Sequence, residues 1–242
     1  MSAVQHHTEF DPRRLAAAAR SILSCPADVS LVVDGIDDLL ADRDELGMSD
    51  DDGRPMLVCP TESPLAEAAA AGRSALLSVA SGVGPTGSSS RDARLTLAGR
   101  LSIDGRSDCE CCGEPRTQVS MVLNFVLFTR LLHDGRERQY RVRLDHFGSS
   151  DHRLNRGFLQ RSVEHANQCH QEELRRAVAM TTGTRMADIA GVRLGRLLPH
   201  QVEITWIDSD GAQSKTVHFG RTARSTDELG ELLRARLHAG LC

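Results

Sequence analysis

The sequence predicts an α+β fold: a barrel-like N-terminal part with flanking helices over residues 1–150, then a helix–β-meander–helix module over residues 151–242. Three observations carry this. From Ala93 to Ile103 the sequence has period two, with Ala93, Leu95, Leu97, Gly99, Leu101 and Ile103 on one side and Arg94, Thr96, Ala98, Arg100 and Ser102 on the other, as a half-buried antiparallel or barrel strand requires. Proline-led helix starts at Asp11-Pro12 and Ser63-Pro64 flank the early strands. Beyond Asp151 an apolar stripe at helical spacing gives way to short alternating segments and then to a capping box.

Each element has its own signal. Asp11 and Pro12 suit the N-cap and first helical position, Leu15, Ala19 and Ile22 form the buried stripe, and Pro26 forbids continuation. Val29, Leu31 and Val33 alternate as a strand. The stretch Asp37 to Asp52 carries eight acidic residues against one arginine, which reads as a solvated excursion rather than an acidic docking site. Met56–Cys59 is a short strand, Ser63-Pro64 opens an Ala-rich helix ending at Gly72, and Ser74–Ala80 is a strand leading into a loop from Ser81 to Arg91. In the alternating segment, Ala93, Leu95, Leu97, Gly99, Leu101 and Ile103 should face one way.

The apolar run Val119–Leu132 reads as a strand because Asp134-Gly135 signals a hairpin turn, with Tyr140, Val142 and Leu144 alternating beyond it. Gly148–Asp151 reads as a hinge. One long helix is expected from Asp151 to Met180, with Leu159, Val163, Ala166, His170, Leu174 and Ala177 on one stripe. Strands follow over Ala187–Leu197, Val202–Ile207 and Ser214–Phe219, and a helix opened by Ser225 and Glu228 buries Leu229, Leu232, Leu233 and Leu237.

Composition narrows the function. Hydrophobic residues make up 40%, enough for a core, but aromatic residues only 3%, too few for the stacking platforms of single-stranded nucleic-acid binding. A net charge of −4 provides no basic field for nucleic acid or anionic lipid. No apolar run reaches the roughly 18 residues of a membrane span. Seven cysteines at irregular spacing fit free thiols and a cytoplasmic location. Lys215 is the only lysine beside many arginines, the coding bias of a GC-rich bacterial genome.

Three local patterns invite a chemical reading. Gly82-Val83-Gly84-Pro85-Thr86-Gly87 matches the dinucleotide-binding G-x-G-x-x-G, but a strand rather than a helix follows it and Pro85 removes a donor, so a hairpin loop is expected. Cys109-Glu110-Cys111-Cys112 lacks the spacing of a zinc knuckle, and Cys59 or His133 could complete a metal site only through the fold. His165 and His170 are five apart, about 140° around a continuous helix. On such a helix they cannot share one metal ion: at most one ligates, or both serve packing or capping. No catalytic triad or carboxylate pair can be assigned.

The run His165-Ala166-Asn167-Gln168-Cys169-His170, the Ala187–Val217 strands with their Asp-Gly turn, and the closing Ser225 helix resemble a known module. It is the C-terminal domain that accompanies split barrels of the pyridoxamine-phosphate-oxidase-like, haem-utilisation (HugZ-type) family. Such modules read H-x-N-x-D-H, and Cys169 departs from that pattern. Upstream, Arg94-Leu95-Thr96-Leu97-Ala98-Gly99 is similar to the R-L-T-L-x-G strand of the same family. The resemblance implies a homodimeric split barrel with a haem-linked role, extending to haem utilisation or oxygenase-like degradation. Haem needs an apolar slot, an axial ligand and cations for its propionates. His165 (preferred for the iron), His170, Arg94 and Arg100 are the candidates, with His200 and His218 next in line. The alternatives are a flavin- or deazaflavin-dependent oxidoreductase and a non-catalytic regulatory or protein-binding module. FMN ranks below haem because no Arg, Lys, Ser and Thr set on consecutive strands marks a flavin phosphate.

Overall fold

In a computed structural model the first helix, α1 (Pro12–Ser24), begins where Asp11 accepts a hydrogen bond from the Arg13 N–H, and it ends before Pro26. The structure describes residues 11–36, 47–108, 113–132 and 134–237. The sequence readings of residues 37–46, of Cys109, Cys111 and Cys112, and of His133 lie outside them. Two units make up the chain, Met1–Gly157 and Phe158–Cys242.

The first unit is a curled, antiparallel half-barrel. Its strands are β1 (Pro26–Val33), β2 (Gly47–Asp51), β3 (Arg54–Pro60), β4 (Ser74–Ser81), β5 (Ala93–Asp108), β6 (Pro115–Leu131) and β7 (Glu137–Arg141), with the short helix α2 (Pro64–Ala70) between β3 and β4. The strand order is β1-β4-β5-β6-β3-β2, and β7 pairs with the far half of β6. One edge of β6 is thus shared, with β3 at Arg116–Ser120 and β7 at Leu127–Leu131. Together with the second unit described below, this is a split-barrel-like α+β fold.

Two devices bend the long β5–β6 ribbon. Ala98 pairs with Phe125 while the next residue, Gly99, pairs with Leu123, so Asn124 is the extra residue of a bulge. A Cβ on Gly99 would collide with the Val122 carbonyl, which is why glycine interrupts the apolar series there. A second irregularity lies between Ile103 and Gly105. Inward, Leu95, Leu97, Leu101, Val119, Met121 and Val126 meet Leu77, Leu57 and the Ala16–Ala19–Ile22 face of α1. Ile103, expected inside, is 42% exposed because the strand is leaving the core at that bulge. Outward, the register aligns Val32 with Leu76, Leu76 with Ala98 and Ala98 with Phe125, an apolar row across four strands.

The acidic stretch is not wholly a solvated excursion. Its described end forms β2, and Asp50 is buried in an ion pair with Arg20 of α1, whose Nε lies 3.0 Å from Oδ2. Ser24 Oγ donates to the same oxygen at 2.7 Å, and the Gly53 N–H donates to Oδ1 at 2.7 Å. Arg20 also donates to the Phe147 carbonyl at 2.9 Å and lies over the Phe147 ring. Leu144, read as a strand residue, starts instead a one-turn helix, α3 (Leu144–Phe147), that delivers Phe147 to this arginine. Arg153 pairs with Asp52 beside it and holds that carboxyl below its ordinary range.

The second unit packs helices on a three-stranded antiparallel sheet of order β10-β9-β8: β8 (Gly191–Leu198), β9 (Gln201–Asp208) and β10 (Gly211–His218). Ala187 and Asp188, assigned to a strand from sequence, lie instead in a single 3-10 turn, Met186–Asp188, before β8. The expected Asp151–Met180 helix is broken. Ser150–His152 is a separate 3-10 turn, α4 runs from Arg156 to Cys169, and α5 from Gln171 to Thr182. The last helix, α6 (Thr226–Leu237), is capped by Ser225, whose Oγ accepts from the Glu228 N–H, while the Glu228 carboxylate accepts from the Arg224 N–H. Among the described residues Cys25, Cys59 and Cys169 are free thiols, and no helix is long and apolar enough to cross a membrane.

The Arg20–Asp50 pair yields a stability prediction. Removing one partner leaves a buried charge unpaired, so Arg20→Ala should cost about 3–5 kcal/mol in urea unfolding, whereas the double replacement Arg20→Met with Asp50→Leu should cost clearly less.

Candidate functional site

The break between α4 and α5 builds the site. Ala166 is buried against the second unit's core, and Asn167 is the next residue on α4. Strand β8 pairs only with β9, so its other edge offers unpaired backbone groups. Asn167 supplies the partner: its Nδ2 donates to the Leu194 carbonyl at 2.9 Å, and the Leu194 N–H donates to its Oδ1 at 2.8 Å. A side-chain amide thus pairs with the strand edge just before the Leu194/Leu197 irregularity and fixes the last turn of α4. Only a side chain with both donor and acceptor can make this pair of bonds.

His170 then turns the chain. Its N–H completes α4 by donating to the Ala166 carbonyl, and its own carbonyl accepts from the Leu174 N–H to start α5, both at 3.0 Å. At φ −122° and ψ 36° its backbone leaves the helical region. The helix axis bends at this residue, and the five-residue spacing that separates two side chains on a straight helix instead brings them together. The Nε2 atoms of His165 and His170 lie 3.3 Å apart, with ring centroids 5.1 Å apart and planes at 73°.

The two rings sit in different environments. His170 is 9% exposed, and its Nδ1 lies 3.9 Å from Oε2 of Glu173 in the first turn of α5. His165 is exposed, and among the described residues its Nδ1 has no hydrogen-bond partner. A contact between two Nε2 atoms needs one N–H and one bare nitrogen. In the tautomer that keeps Nδ1–H of His170 on the side of Glu173, its Nε2 is bare and accepts from Nε2–H of His165. That arrangement leaves the Nδ1 lone pair of His165 open to a ligand.

The distance also limits what the pair can do. Nitrogens on opposite sides of one metal lie about twice a metal–nitrogen bond of ~2.0–2.1 Å apart. A separation of 3.3 Å fits neighbouring coordination positions, not the two axial positions of one haem. Among the described residues no group of three or more His, Cys, Asp and Glu side chains is placed to hold an ion.

The other sequence candidates are not brought together. Arg94 and Arg100 both lie on the outward side of β5 in the first unit. Six residues along a strand is roughly 20 Å, so the two do not converge on one group. Arg100 Nε is committed to the Gly72 carbonyl at 3.0 Å. His200 and His218 are exposed at the β9–β10 end of the meander, where the Phe219 N–H donates to the His200 carbonyl. Sequence reading missed the meeting of His165 with His170 because it drew one continuous helix. The available signal was Glu172-Glu173, the acidic first turn of a new helix.

No family model matches this sequence, and no curated protein matches it. Solved structures give weak likenesses. A haem binding protein from Mycobacterium smegmatis is 15% identical, with 92% of this chain and 96% of that one covered at a TM-score of 0.37. A protein of unknown function from Agrobacterium tumefaciens is 13% identical, covering 93% and 95% at 0.34. An Hcp1 protein from Salmonella typhimurium is 16% identical over 48% of this chain and 94% of its own, at 0.29. Scores this low transfer no function, so the site has to be read from its own residues.

The Asn167 clamp is directly testable. Asn167→Asp keeps the acceptor but cannot donate to the Leu194 carbonyl, and Asn167→Ala loses both bonds. Each should lower stability by about 1–3 kcal/mol in denaturant unfolding, with faster amide exchange at Leu194 in the alanine variant.

Proposed function

We propose that this chain binds haem, with His165 as the axial ligand and His170 as the residue that orients it. The observation that carries the reading is the stacked order of imidazoles: an exposed ring with a free Nδ1, backed by a buried ring that itself faces a carboxylate. Metal-bound histidines characteristically donate their second N–H to such a partner, which fixes tautomer and ring orientation. The resemblance of the H-x-N-x-x-H run to the haem-utilisation family points the same way. Haem would supply the redox chemistry; the chain supplies the imidazole and its orientation. Only a neutral ring ligates, so binding should weaken in acid.

The same reading includes a homodimer. The outward row Val32, Leu76, Ala98 and Phe125 is apolar, with Val32 60% and Leu76 45% exposed, and such a row favours burial against a second copy. A cytoplasmic, reducing location accords with the free thiols.

Haemin titration of the wild type, His165→Ala and His170→Ala tests the ligand assignment. His165→Ala should abolish the low-spin Soret shift with the melting temperature unchanged. His170→Ala should keep a weakened shift and lose about 1–3 kcal/mol of stability through packing. If neither variant alters the spectrum, the ligand is elsewhere. Light scattering should give twice the 26.4 kDa chain mass, and Leu76→Glu should return it to the monomer value. A wild-type monomer at all concentrations removes the dimer.

A further inference from the structure

The Gly82–Arg91 loop, set aside as a dinucleotide motif, forms one wall of a cleft in the first unit. It is an ordered wall. The Val83 N–H donates to Ser81 Oγ, the Ser88 N–H to the Pro85 carbonyl, the Arg91 N–H to the Ser88 carbonyl, and Arg91 Nε to the Gly84 carbonyl. Opposite stands α1, and the start of α4 is pressed against it: a Cβ on Gly157 would overlap the Ser21 carbonyl. That close approach fixes the neighbouring Arg156, whose Nη1 lies 3.4 Å from Ser90 Oγ.

Between these walls is a cavity of about 240 Å³. Ile22, Val83, Ala93 and Phe128 give it an apolar lining, while Arg130, Arg156, Ser89 and Ser90 provide its polar groups. No carboxylate lines it, and among the described residues neither Arg130 nor Arg156 is in an ion pair. Two guanidinium groups beside apolar carbon, without a counter-charge, form an anion site with a hydrophobic floor. Its volume lies below the usual ~300–1,000 Å³ of cofactor pockets, so it admits a compact molecule and not a porphyrin.

We propose that this cleft binds a small organic carboxylate with a compact apolar body, its carboxylate held by Arg130 and Arg156 and its body against Ile22, Val83 and Phe128. The proposal is independent of haem binding, which involves other residues. The guanidinium fork favours a planar carboxylate, and the apolar floor discriminates against an anion with no carbon body.

The test is NMR of the methyl groups of Ile22 and Val83 in the full chain, titrated at millimolar concentration with benzoate, hexanoate, inorganic phosphate and benzyl alcohol. Both carboxylates should give saturable shifts, with phosphate and the neutral alcohol binding much more weakly. Arg130→Gln and Arg156→Gln should each weaken benzoate roughly tenfold or more, the range of a lost charge-assisted hydrogen bond. Ala18→Phe, at the exposed mouth of the cleft, should block it while leaving both arginines in place. The proposal is overturned if neither carboxylate gives saturable shifts. It is equally overturned if phosphate or benzyl alcohol binds as well as benzoate, or if affinity is unchanged in both arginine variants or in Ala18→Phe.

Discussion

The backbone of His170 leaves the helical region at the point where Asn167 has tied the preceding turn to the edge of β8, and the candidate site depends on that pairing. The clamp fixes where α4 ends. The change in ψ fixes where α5 departs, and the hydrogen bonds on either side of His170 leave no slack between them. Burial of the His170 ring then determines which imidazole is the support and which is available. A bend in a helix axis thus converts two separated side chains into a pair in contact. The alternative, a straight helix, would place the rings about 140° apart and leave neither with a partner.

The first unit is organised by a comparable economy of polar groups. Arg20 is almost fully buried, yet its guanidinium has a carboxylate, a backbone carbonyl and an aromatic face. These contacts bind α1 to the β2–β3 hairpin and to α3, elements far apart in sequence. A buried cation with so many satisfied contacts specifies an arrangement more sharply than apolar packing alone. The Gly99 bulge acts on the sheet in a similar way, setting where the β5–β6 ribbon bends without adding buried area.

Much of this fold was legible in the chain because its signals are local. Proline after Asp11 and Ser63 marked helix starts, alternation from Ala93 marked a strand facing a core, and Ser225 with Glu228 marked the last cap. What escaped was set by distant partners. Nothing near Asp50 signals that it is buried, since its partner Arg20 lies thirty residues earlier. Leu144 continues an alternation on paper, yet the chain turns there to carry Phe147 to the same arginine. At the site, the histidines were visible as residues but not as a pair. An unbroken apolar stripe from Leu159 to Ala177 concealed the helix restart, and the role of Asn167 requires knowing that β8 lies beside it.

The proposed haem reading differs from a flavin reading in the residues that each cofactor asks for. A flavin needs a phosphate cradle on consecutive strands; a haem needs one accessible nitrogen of fixed orientation, the role proposed for His165 backed by His170. The most direct measurement is a parallel titration of the purified full chain with haemin and with FMN, followed by absorption and by protection against thermal unfolding. The account predicts a saturable, stoichiometric Soret shift with haemin, a matching rise in melting temperature, and no response to FMN. Saturable FMN binding with an unshifted haemin spectrum would contradict it.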